Sequence, residues 1–107
     1  MMENSKDPEL KKVIHNLRRD LNDIVFEIVD YWDGDNCATG IVKKGDRTKL
    51  VYISTYNMNP DYFYCEFEVV DIDFEDRCET IKEFEDIHYL EMLDSIKSFL
   101  MERSHNE

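Results

Sequence analysis

"YFYCEFEVVDI", residues 62–72, decides how the chain is read. Its side chains alternate: Phe63, Cys65, Phe67 and Val69 fall on one face, and Tyr62, Tyr64, Glu66 and Glu68 on the other. A period of two is that of a strand with one face on a core and the other toward solvent. Three more segments fit beside it. "DIVFEIVDYW" predicts a strand near 24–32, "CATGIVKK" a second with Gly40 as a candidate bulge, and "KLVYISTY" (49–56) a third. The turn-forming runs "DGDN" (33–36), "GDRT" (45–48) and "NMNPD" (57–61) separate them, each short enough for a hairpin, so an antiparallel meander is expected.

Helices close both ends. In "DPELKKVIHNLRRDL" Asp7 is a candidate N-cap and Pro8 occupies the first helical position, where its missing N–H costs nothing. Leu10, Val13, Ile14, Leu17 and Leu21 recur at helical spacing, predicting a helix over 7–22. "EDIHYLEMLDSIKSFLMER" predicts a second over 86–103, with Asp86 as its cap and His88 in its first turn. Tyr89, Leu93, Ile96 and Leu100 would form its buried stripe, with Leu90 and Phe99 beside it. The expected architecture is α+β, one domain over 1–107: N-terminal helix, a four- to five-stranded antiparallel sheet over 24–84, C-terminal helix. Whether 74–84 forms a fifth, edge strand or an extended loop is left open.

The 107 residues carry a net charge of −12, unevenly placed. Residues 1–50 hold nine Lys/Arg against ten Asp/Glu, whereas 51–107 hold four against fifteen. The densest run is "DIDFEDRCETIKEFED" (71–86), acidic at eight of its sixteen positions. Such a chain repels phosphates and anionic lipid, which argues against nucleic acid and membrane as direct partners and for a basic protein. No run is long and apolar enough to span a membrane, and "MMENSKDPELKK" does not read as a secretory signal, so a cytoplasmic protein is expected.

Chemistry-bearing motifs do not emerge. Cys37, Cys65 and Cys78 are odd in number and widely spaced, predicting free thiols rather than disulfides or a zinc site. "DIDFED" has the opening of a calcium loop but places Asp76 where that loop needs Gly and Lys82 where it needs Glu. Gly34, Gly40 and Gly45 stand alone, so no phosphate-binding loop is present, and His15, His88 and His105 have no sequence context for pairing with Cys37, Cys65 or Cys78. The expectation is a non-enzyme with neither metal nor cofactor.

Two readings of the acidic run compete. Charges on an edge discourage sheet-to-sheet aggregation. Alternatively, carboxylates beside tyrosines form a surface for a protein ligand, because Tyr buries much area at little rotamer cost and carboxylates pair with Lys and Arg. On the second reading the partner-binding residues are Tyr62, Tyr64, Glu66, Glu68, Asp71, Asp73, Glu75, Asp76 and Glu79.

The layout, and above all the ending "CETIKEFEDIHYLEMLDSIKSFL", resembles the small acidic immunity proteins of bacterial contact-dependent growth inhibition systems. The resemblance implies a protein that neutralises a cognate, basic nuclease-type toxin domain by occlusion, as a monomer or homodimer. No functional residue transfers position by position. Two other classes fit the same composition: a phage- or plasmid-borne nucleic-acid mimic that blocks a DNA-binding protein, and a non-catalytic adaptor or homodimer module.

Overall fold

A computed structural model describes residues 7–29, 36–70 and 78–101. The element order is α1 (Pro8–Asp20), β1 (Phe26–Val29), β2 (Ala38–Lys43), β3 (Asp46–Ser54), β4 (Tyr62–Val70), β5 (Cys78–His88) and α2 (Tyr89–Met101). The five strands form one sheet in the order β1-β2-β3-β4-β5, every pair antiparallel. This is the α+β meander expected from the alternation, with the fifth strand present.

Both helices pack on one face of the sheet. Leu10, Val13, Ile14 and Leu17 of α1 and Met92, Ile96, Phe99 and Leu100 of α2 join Phe26, Ile41, Val51, Ile53, Phe63, Cys65 and Phe67 in one buried cluster. Burying each such side chain contributes roughly 1.5–3 kcal/mol, which drives the layering. Phe67 and Phe99 stack with centroids 4.5 Å apart and planes 8° from parallel, locking β4 to α2. On the other face Val29, Val42 and Leu50 form a second, smaller cluster with Val70 against it.

Local signals explain the first helix. The Asp7 side chain accepts the Glu9 N–H at 3.1 Å, satisfying a donor the helix cannot pair itself. The second helix departs from expectation. Asp86 is not its cap but a residue of β5, because the strand continues through the pairs Phe63↔Ile87 and Tyr62↔His88. His88 ends that strand, and its Nδ1 accepts the Leu90 N–H at 3.2 Å, so the capping role passes to the histidine. The buried stripe is Tyr89, Met92, Ile96, Phe99 and Leu100; Leu93 is partly buried and Leu90 exposed.

Two smaller departures concern a turn and the bulge. Asp46 and Arg47 belong to β3 rather than to a turn, leaving Lys44 and Gly45 to reverse the chain. Gly45 adopts φ of 88°, a left-handed conformation that glycine reaches without steric cost. Gly40 pairs regularly with Val29 and Tyr52, and the irregularity in β2–β3 falls between Val42 and Lys43.

Candidate functional site

The face of β4 away from the helices carries Tyr62, Tyr64, Glu66 and Glu68, as the alternation requires, and β5 adds to it through pairing register. Glu66 lies opposite Glu83, Glu68 opposite Thr80 and Val70 opposite Cys78. Two register shifts, between Phe63 and Cys65 and between Phe67 and Glu68, each insert one extra residue into β5. Those bulges set which β5 side chains reach which face.

The result is a chain of hydrogen-bonded polar groups running across two strands. The Tyr64 hydroxyl contacts the carboxylates of both Glu66 and Glu83, so one phenolic proton serves two acceptors. Glu68 donates to Glu66 when its own carboxyl is protonated, and the Cys78 thiol donates to Glu68. Tyr52 extends the array from β3, its ring meeting that of Tyr64 edge-on at 6.0 Å. At the sheet's end Tyr62 and His88 make a similar contact at 5.2 Å.

Electrostatics follow from this crowding. Desolvation, then the bonds to Glu66 and Glu83, push the Tyr64 hydroxyl up. Burial, reinforced by Glu66, raises the Glu68 carboxyl, although the Cys78 bond opposes that rise. Desolvation and the adjoining Glu68 raise the Cys78 thiol, and burial does the same to Cys65. Thiols shifted this way are poor nucleophiles. The arrangement offers fixed hydrogen-bond acceptors and aromatic edges.

Of the nine residues expected to bind a partner, Tyr62, Tyr64, Glu66 and Glu68 share this face. Glu68, however, is only 7% exposed, so it supports the array from beneath rather than meeting solvent. Its position opposite Leu50, beside the small apolar cluster, accounts for the burial. Val69, expected in the core, is 40% exposed near the end of its strand. Glu79 is exposed on β5 opposite Val69, toward the helix side. Asp71, Asp73, Glu75 and Asp76 lie outside the described residues.

Sequence reasoning missed Glu83, Cys78 and Tyr52. Tyr52 was recoverable from the alternation of β3, but Glu83 and Cys78 depend on bulges that leave no local trace. The ion pairs Arg19–Asp20 and Arg47–Glu27 sit away from the array, the first on α1 and the second beside the opposite edge strand. Among the described residues no group of three His, Cys, Asp or Glu is placed to hold a metal ion, and no helix is long and apolar enough to cross a membrane. Comparison with protein families, with characterised proteins and with solved structures returns no match.

Proposed function

We propose that this protein is a non-enzymatic inhibitor of the immunity type, which binds a basic, nuclease-like toxin domain and occludes it. The observation that carries the reading is the Tyr64 array: carboxylates of Glu66 and Glu83 held by one hydroxyl beside the edge of Tyr52. Acceptors fixed in advance lose little entropy when a cationic surface docks, and aromatic edges supply contact area. A net charge of −12 would steer such a partner in and make association salt-sensitive. The toxin target comes from the resemblance and cytoplasmic residence from the reading of the N-terminal sequence, and both belong to the same proposal.

The test is co-expression with a small basic nuclease domain, taken from whatever effector is encoded beside this protein's gene, followed by affinity capture. Glu66→Lys combined with Glu83→Lys should weaken capture by at least about tenfold, some 1.4 kcal/mol, with the circular dichroism spectrum unchanged. Full protection by that folded variant would refute the assignment of this face. Competition by plain duplex DNA for several unrelated basic proteins would instead favour a nucleic-acid mimic.

A further inference from the structure

The sheet ends on β5, and β5 is unusual for an edge. It runs eleven residues, most of them exposed, while the opposite edge strand β1 has four. Beside it lies a groove bounded by α2. One cavity of about 670 Å³ is floored by Phe67, Phe84 and Phe99, with Ile81 and Met101 exposed at its mouth. A second of about 370 Å³ continues it along the strand, sharing Phe84 and Ser95. The rim is acidic: Glu85, Asp86, Glu91 and Asp94 line these cavities, against Lys82 alone from the basic side.

We propose that the outer edge of β5 is a strand-addition site for an extended segment of a partner protein with alternating basic and apolar side chains. A strand's outward N–H and C=O groups template another chain, and alternate side chains of the added strand then point to opposite faces. On the helix side, apolar side chains would enter the Phe84–Phe99 socket. On the other side, basic ones would reach Glu83, which Tyr64 holds in place. A second copy of this protein is the wrong occupant. Antiparallel pairing of two β5 strands centred on Glu83 sets that carboxylate against its own copy and crowds Glu79, Glu85 and Asp86 of both copies along the same seam, and like charges brought together destabilise a sheet.

The inference rests on the proposed function only for the partner's positive charge. Its probe is a blocked synthetic peptide of about nine residues, an ordinary strand length, alternating Lys and Val. Binding to the whole protein is read by fluorescence anisotropy at low salt. N-methylation of every second residue, in the register that faces β5, removes the backbone donors but keeps charge and side chains. It should weaken binding at least about tenfold. Sorting the same residues into a Lys block and a Val block should weaken it comparably. In hydrogen exchange, β5 amides should gain protection when the unmodified peptide is added. Equal binding of the N-methylated peptide, or no binding of any peptide, would overturn the proposal, as would a concentration-dependent dimer that the peptide does not dissociate. Because the peptide experiment needs no toxin, it can fail while Glu66→Lys with Glu83→Lys still abolishes capture; the converse result would remove the immunity reading and leave the edge site standing.

Discussion

The hydroxyl of Tyr89, the first residue of α2, donates to Oδ2 of Asp20, the last residue of α1, at 2.7 Å. The two helices, separated in sequence by the whole sheet, are thus joined end to start by one bond. Arg19 completes the junction with two contacts to the same carboxylate, at 2.8 and 2.9 Å. These donors, Arg19 before Tyr89, hold Asp20 down at about 2 against 3.8 for a free aspartate.

Tyr89→Phe removes the bond and keeps the ring, so it should lower stability by about 1 kcal/mol, the usual net worth of a hydrogen bond. Because the folded-state carboxyl of Asp20 is depressed, its contribution is complete above 3.8 and disappears as pH falls toward about 2. Urea unfolding of the wild type and Asp20→Asn across that window should therefore converge at the acid end.

Glu68 behaves oppositely. Its carboxyl is raised in the folded protein, so its protonated form stabilises the fold below 4.5, the free value, and that benefit is lost as pH rises through the folded value. Glu68→Gln should accordingly raise the unfolding free energy measured in urea at neutral pH, by about 1 kcal/mol or less. The advantage should vanish below pH 4.5.

Cys78 is exposed yet held above the ordinary thiol value by desolvation and by Glu68. At neutral pH it should be alkylated by iodoacetamide more slowly than an unstructured cysteine, since the thiolate is the reactive form. Glu68→Gln should speed the reaction. Mass spectrometry of the labelled peptide provides the measurement, and an unchanged rate would dissociate the two residues.

Phe99 stacks on Phe67, is only 5% exposed, and carries the Lys49 ammonium 5.8 Å above its ring. Phe99→Ala should cost about 3–5 kcal/mol through lost burial and the cavity left behind. For a domain whose total is on the order of 5–15 kcal/mol, that is enough to leave a measurable unfolded fraction. Phe99→Leu should cost markedly less, which thermal melts would resolve.

The order of α1, β1 to β4 and α2, and the core-facing side of β4, were legible in the residues alone. Both follow from local periodicity: Phe63, Cys65 and Phe67 are buried on one side because a strand has a period of two, and Leu10 to Leu17 because a helix turns every 3.6 residues. That Asp86 continues a strand rather than starting a helix emerges from long-range pairing, since Phe63↔Ile87 and Tyr62↔His88 join residues more than twenty positions apart. The same holds for the candidate site. Glu83 reaches Tyr64, and Cys78 reaches Glu68, through bulges that offset β5 against β4, and pairing register is a property of two strands that neither one encodes alone.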